Sequence, residues 1–317
     1  MRVFWISWMI VTAVYVAVLI TAYVCYRLTF YAPNKADKSE APVPSGVEYE
    51  PYRGAMMAWL KTVQAMPHRE VEIRSFDGLI LRGKYYEYKK GAPIEILFHG
   101  YKSSAAQDLS GGVIRCFALG HSALAVDHRG CGASEGHVIS FGINESRDCE
   151  EWVRFVLREI SPDATILLTG ISMGASTVMM CADRPLPPQV VGIVADCGYT
   201  SPREIVQKVI REDLRLPAKL FYPFVWLGAK LYGKFDLEET SPIEALRNSR
   251  VPIIFFHGDA DIFVPHSMSV DNYNACVSPK RLVTVKGAGH GLSLLTDRKT
   301  YLSELQIFFA PILEDSK

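Results

Sequence analysis

The sequence predicts an α/β fold: a mostly parallel central sheet with helices on both faces, preceded by an N-terminal apolar helix. Three observations carry this. Short uninterrupted apolar runs at residues 94–98, 123–126, 165–169, 190–195, 253–256 and 282–285 have the composition of strands buried on both faces. Longer amphipathic stretches lie between them. The clearest sets Ile143, Trp152, Val153, Val156, Leu157 and Ile160 at a helical period, with Glu145, Arg147, Glu150, Arg154 and Arg158 on other faces. Alternation of strand and helix implies a parallel sheet covered on both sides. Finally, residues 3–26 contain no charged side chain, an apolar run of the length that crosses a bilayer as a helix.

The N-terminal run bears the marks of an uncleaved anchor. Trp5 and Trp8 stand near one end and Tyr23, Tyr26 and Tyr31 near the other, as in an aromatic belt at each interface. The bulky residues Tyr23, Val24 and Tyr26 suit signal cleavage poorly. Sidedness is contested. Arg27, Lys35 and Lys38 outnumber Arg2 and favour a cytoplasmic body, whereas a short basic head before an apolar run is how export signals begin. The reading leans towards an extracytoplasmic body. The expected organisation is an anchor at 3–28, a tether and lead-in at 29–66 containing Pro33, Pro42, Pro44 and Pro51, and one folded domain at 67–317.

Within the domain, runs at 70–74 and 79–86 flank Asp77-Gly78, a hairpin signal that adds an antiparallel edge. More than 50 residues separate Asp196 from Ile253, too many for a simple crossover. They include Tyr222, Phe224, Trp226 and Tyr232. This insertion, about 200–248, reads as a helical lid over the C-terminal ends of the strands, where open α/β sheets bind ligands. Two or three of its aromatics are expected to line a pocket.

The 317 residues carry 34 basic and 34 acidic side chains, so the net charge is zero. This argues against nucleic-acid binding, which demands a basic excess. Six cysteines outside the anchor show no C-x-x-C spacing, and no structural disulfide is expected. His68, His121, His128, His137 and His266 form no metal-ligand spacing, so neither metal nor cofactor is expected.

The chemistry concentrates in Gly170-Ile171-Ser172-Met173-Gly174, which follows an apolar run and precedes small, helix-compatible residues. A serine on a sharp strand-to-helix turn has strained backbone angles, and side chains two residues either side would clash; Gly170 and Gly174 have none. The turn raises the Ser172 hydroxyl above the sheet and leaves the Met173 N–H at a helix N-terminus, able to donate to an oxyanion. A serine hydroxyl needs a base, and the base an orienting acid. His290, between Gly289 and Gly291, follows the run at 282–285. Asp259 and Asp261 both follow the run at 253–256 and compete for the acid's role. The Tyr101 N–H, after His99-Gly100, supplies a second oxyanion donor.

Five segments in order carry a resemblance: His99-Gly100-Tyr101, residues 127–134 (DHRGCGAS), residues 170–174 (GISMG), residues 257–265 (HGDADIFVP) and residues 287–291 (GAGHG). Over roughly residues 70–313 the chain resembles the α/β-hydrolase superfamily, near its serine-aminopeptidase-like and membrane-anchored esterase-like branches. The resemblance implies that Asp261 is the acid of a Ser172–His290–Asp261 triad and that residues 127–134 form a structural loop beside it. The five segments say little about substrate, because this fold hosts many reactions. A serine, base and acid of this kind work through an acyl-enzyme; the aromatic insertion and the tether favour a small-molecule or lipid-like carboxylic ester with an apolar acyl group, with a peptide or amide as the alternative. A non-catalytic ligand receptor on the same fold is the rival from another class, and no obligate protein partner is evident.

Overall fold

The computed structural model describes residues 1–32 and 43–315; Pro33, Lys35, Lys38 and Pro42 of the expected tether lie outside the described residues. Helix α1 (Arg2–Thr29) is followed by α2 (Arg53–Ala65) and by strands β1 (Arg69–Arg74) and β2 (Ile80–Tyr86). Then come β3 (Ile94–Phe98), α3 (Ala105–Asp108), α4 (Ser110–Ala118), β4 (Ser122–Val126), α5 (Ile143–Phe155), β5 (Ile166–Ile171), α6 (Met173–Cys181) and β6 (Val190–Asp196). The insertion holds α7 (Pro202–Lys208), α8 (Ala218–Gly228) and α9 (Pro242–Leu246). The chain ends with β7 (Ile253–Gly258), α10 (His266–Ala275), β8 (Lys280–Val285), α11 (Ser293–Thr296) and α12 (Arg298–Asp315).

The eight strands form one sheet in the order β1-β2-β4-β3-β5-β6-β7-β8. β1 and β2 pair antiparallel through the Asp77-Gly78 turn, β2 runs antiparallel to β4, and the remaining pairs are parallel. The unbroken apolar runs follow from the strand's two-residue period: alternate residues serve two separate cores. Ile94, Ile96, Phe98, Ile166 and Leu168 pack with Trp152 and Val178 on one face. Leu97 packs with Val113 and Cys116, and Leu167, Val194 and Phe256 pack with Tyr301 and Leu305, on the other.

Within the described part of the tether and lead-in, Val43 and Leu60 are buried, and α2 packs against α4. The composition there is polar and proline-rich, but three apolar side chains, Met56, Leu60 and Val63, recur on one helical face and bury it. None of the insertion's aromatics lines the cavity beside Ser172, and Tyr232 and Phe235 pack on α1 instead. Tyr232 donates to Leu19 O at 3.2 Å, its ring lies 5.1 Å from that of Tyr23, and Tyr26 and Phe30 are buried against it and Phe235. Of the expected aromatic belt, Trp5 and Trp8 are exposed, whereas Tyr26 packs on protein.

Candidate active site

β5 hands over to α6 through Ser172, at φ 56° and ψ −118°. No non-glycine side chain adopts that region without strain, and the surrounding backbone enforces it. A Cβ on Gly170 would stand 2.1 Å from Gly174, and one on Gly174 would stand 2.1 Å from Phe98 O. Gly170 and Gly174 are therefore required by close backbone approach. The turn is tied down by the Ser172 N–H, which donates to Asp196 O at 2.8 Å at the end of β6.

Three distant loops meet here. His290 Nε2 lies 2.9 Å from Ser172 Oγ, and His290 Nδ1 lies 2.7 Å from Asp261 Oδ2. With Nδ1 carrying the proton, Nε2 presents a lone pair to the hydroxyl. Asp261 Oδ1 accepts from the Phe263 and Val264 amides, both at 2.9 Å. Burial pushes the Asp261 carboxyl up, but hydrogen bonds from His257 and His290 outweigh it and hold the group well below the usual carboxylate range. Asp259 is elsewhere: its carboxylate accepts from the Gly287 N–H at 2.6 Å.

A second histidine, absent from the expected site, shares the acid. His257 is fully buried, with Nε2 2.9 Å from Val264 O and 3.1 Å from Asp261 Oδ2. A carbonyl only accepts, so Nε2 carries the proton and Nδ1 accepts from Ser269 Oγ at 2.6 Å. His257 thus shares Asp261 Oδ2 with His290 and helps to fix the carboxylate. The only sequence signal for it is its place as the first residue of the 257–265 segment.

The amides of Tyr101 and Met173 have no hydrogen-bond acceptor among the described residues. The first is aimed by a buried histidine pair. The His128 N–H donates to His99 Nε2 at 3.0 Å, so His99 carries its proton on Nδ1, 2.7 Å from Gly100 O. With the Gly100 carbonyl held on that side, the trans peptide turns the Tyr101 N–H the other way. Asp108 Oδ2 accepts from the Gly100 N–H at 2.9 Å, and a Cβ on Gly100 would lie 3.6 Å from Ser172 Cβ. The 127–134 loop is structural. Asp127 accepts from the Ala105 and Ala133 amides, and Arg129 grips Asp148 at 2.7 Å twice and Asp77 at 2.8 and 3.1 Å.

Ser172 and His290 open on a cavity of about 620 Å³. Its walls include Tyr49, Trp59, Ile262, Phe263 and Leu294; the insertion contributes Lys208 and Asp213 and none of its aromatics. Tyr49 and Glu48 come from the stretch read as tether, and Tyr49 Oη donates to His290 O at 3.0 Å. Deeper in the cavity, burial pushes the Asp196 carboxyl up to about 6, against the Ser293 hydroxyl that donates to it at 3.0 Å and the nearby His257. Cys197, Asp261 and His290 offer three ligand-type atoms within 4.8 Å of one another. Burial pushes the Cys197 thiol well up, so it stays protonated at neutral pH, while Asp261 and His290 already bond each other. The cluster suits proton transfer better than metal binding.

A family model described as X-Pro dipeptidyl-peptidase (S15 family) matches residues 27–211, more than half of the chain. The chain belongs to the S15 family. That match contains Ser172 and His99-Gly100-Tyr101 and ends before Asp261 and His290. Among curated proteins, this chain is 28% identical over 190 residues to the uncharacterised protein YqkD of Bacillus subtilis, covering 60% of this chain and 62% of that one, so it spans less than two thirds of that relative's length. It is 26% identical over 245 residues to the uncharacterised protein Rv2307c of Mycobacterium tuberculosis, covering 76% and 78%. Its fold is that of the α/β hydrolases, as the sequence resemblance implied. The esterase Pf2001 of Pyrococcus furiosus superposes with a TM-score of 0.65 at 20% identity, covering 79% of this chain and 93% of that one.

Proposed function

We propose that this S15-family chain is a membrane-tethered serine hydrolase that cleaves carboxylic esters with an apolar acyl group. His290 takes the proton from Ser172 as the hydroxyl attacks the carbonyl. Asp261 holds the imidazolium that results, and the Tyr101 and Met173 amides stabilise the tetrahedral oxyanion. Collapse releases the alcohol with the proton returned by His290. The same base then draws a proton from water, which attacks the acyl-enzyme and frees the acid. No cofactor takes part. The observation that carries this reading is the line of two short hydrogen bonds, 2.9 and 2.7 Å, from a strained serine to a buried carboxylate. A receptor has no physical need for that line.

Ester is preferred to amide because Trp59, Phe263 and Leu294 give the cavity apolar walls, and because α1, whose 27 residues Val3–Thr29 are long and apolar enough to cross a membrane, would keep the site near lipid. A peptidase is the second reading, favoured by the family description and by Glu48, a carboxylate on the cavity wall able to hold a substrate ammonium. Hydrolysis of p-nitrophenyl esters of increasing chain length, against X-Pro p-nitroanilides, separates the two. The proposal expects ester turnover that rises with acyl length and disappears in Ser172→Ala; ester turnover unchanged in Ser172→Ala would overturn it.

A further inference from the structure

The apolar run of α1 is longer than its free surface. All fifteen residues from 3 to 17 are exposed, whereas Ala22, Tyr26 and Phe30 are buried against the insertion. At about 1.5 Å per residue the free part spans about 22 Å, short of the roughly 30 Å of a bilayer's hydrocarbon. A bilayer around α1 must therefore reach residues 19–23, the level at which Tyr232 bonds Leu19 O and a Cβ on Gly228 would stand 2.4 Å from Ala22 O. Whatever α8 and the turn after it present outward at that level faces lipid.

What they present is apolar. Leu220, Phe224, Leu227 and Leu231 recur at i, i+4, i+7 and i+11, one stripe of a helix. Leu220 is 59% exposed and Leu231 39%, and neither Phe224 nor Leu227 joins a buried cluster. The preceding turn adds Leu214 and Leu216, also exposed. From 211 to 234 the segment carries five basic side chains (Arg211, Arg215, Lys219, Lys230 and Lys234) against two acidic ones, Glu212 and Asp213, a balance that suits anionic headgroups. The cavity mouth adjoins this surface. Lys208, on its rim, donates to Asp213 Oδ1 at 3.2 Å and to Ile262 O at 3.1 Å, and Ile262 is 80% exposed. The end of α1 is bound to the same rim: Tyr101 Oη donates to Thr29 O, and Lys102 Nζ to Leu28 O at 2.8 Å.

We infer that α8 and the turns flanking it form a second, interfacial membrane-contacting surface continuous with α1, which holds the cavity mouth on the bilayer so that the substrate is an acyl ester already resident there. This rests on α1 spanning the membrane. It deepens the proposed function by naming the phase from which substrate enters.

The test uses the full chain in phosphatidylcholine–phosphatidylglycerol vesicles containing a nitroxide-labelled lipid. A polarity-sensitive fluorophore is placed on Leu220→Cys, Leu231→Cys, Val11→Cys in α1, or Val277→Cys, an exposed residue before β8, with the wild-type chain as labelling blank. The labels at 220 and 231 are expected to shift blue and to be quenched by lipid nitroxide as strongly as the one at 11, while the label at 277 is unaffected. If 11 is quenched and 220 and 231 behave like 277, the anchor stands and the inference fails. If 11 also escapes quenching, both fail. A blue shift at 220 and 231 without quenching means that protein, such as a second copy, covers the stripe, and the inference fails. As a second readout, Leu220→Glu/Leu231→Glu is expected to lower turnover of a vesicle-embedded ester on the order of tenfold while sparing a short soluble ester. Equal effects on the two substrates would contradict it.

Discussion

Asp261→Asn probes the proton-passing line at its anchored end. Asp261 Oδ1 accepts from two backbone amides at 2.9 Å, and Oδ2 faces His290 Nδ1 at 2.7 Å and His257 Nε2 at 3.1 Å. An asparagine must place its oxygen on the two amides, because the reverse orientation sets its NH2 against two donors. Its NH2 then faces His290 Nδ1, which can only accept. The imidazole proton moves to Nε2, and the group 2.9 Å from Ser172 Oγ becomes a donor instead of a base. Reversing the side-chain amide would strand those two backbone donors at about 1–3 kcal/mol each, so about 2–6 kcal/mol hold the wrong tautomer. At about 1.4 kcal/mol per decade that is a loss of about 30-fold to 10⁴-fold in kcat, its upper end comparable with the equivalent change in serine proteases. The assay is kcat/KM on a short p-nitrophenyl ester, with thermal unfolding to show that the variant folds. Asp259→Asn is the control: its amide oxygen can still accept from Gly287 N–H, and activity should stay within about threefold of wild type. Asp261→Asn retaining more than about a tenth of the activity, or Asp259→Asn falling further than Asp261→Asn, refutes the reasoning.

His99→Ala releases the Gly100 carbonyl and leaves the Tyr101 amide unaimed. A fall in kcat of about 10- to 100-fold with KM nearly unchanged is expected, part of the roughly 10²–10³ that one oxyanion donor supplies; a change in KM alone contradicts this role. Arg129→Met strands the buried Asp148 carboxylate and should cost about 3–5 kcal/mol in chemical denaturation, with Arg129→Met/Asp148→Leu recovering most of it. A loss under about 1 kcal/mol for the single variant would exclude a structural ion pair. Asp196, with a folded pKa of about 6 against an unfolded value near 3.9, holds a proton in the folded chain that the unfolded chain releases earlier. Its contribution is full below about pH 4 and is lost as pH rises through 6, by on the order of 3 kcal/mol. Asp196→Asn should therefore gain stability relative to wild type between pH 4 and 6. A constant difference between the two melting profiles over that window means that Asp196 does not titrate there.

Local chemistry wrote the parts that the sequence made legible. Each parallel strand reads as an apolar run because the sheet is buried on both faces, and the antiparallel edge reads from Asp77-Gly78. The turn at Ser172 reads from two glycines, because the close approaches at Gly170 and Gly174 depend on residues within a few positions and on one neighbouring strand. What stayed hidden depends on chain returning from far away. Tyr49 reaches His290 across more than 200 residues, and nothing around residue 49 marks it. His257 lies inside a motif but takes its role from Asp261 and Ser269 after the strand has turned. The insertion's aromatics are equally compatible with lining a cavity or packing on a helix. Tyr232 and Phe235 find their partner in α1, at the far end of the sequence, and Tyr222 and Trp226 bond Glu238 and Asp236 within the insertion, so composition alone assigned them to the wrong neighbour.

Covalent trapping tests the central claim most directly. Full-length chain treated with a fluorophosphonate and digested for mass spectrometry should carry one phosphonyl adduct, on the peptide containing Ser172, with no adduct in Ser172→Ala and much slower labelling in His290→Ala. An adduct on another serine, or labelling of Ser172→Ala at the wild-type rate, would contradict the assignment of Ser172 as the nucleophile.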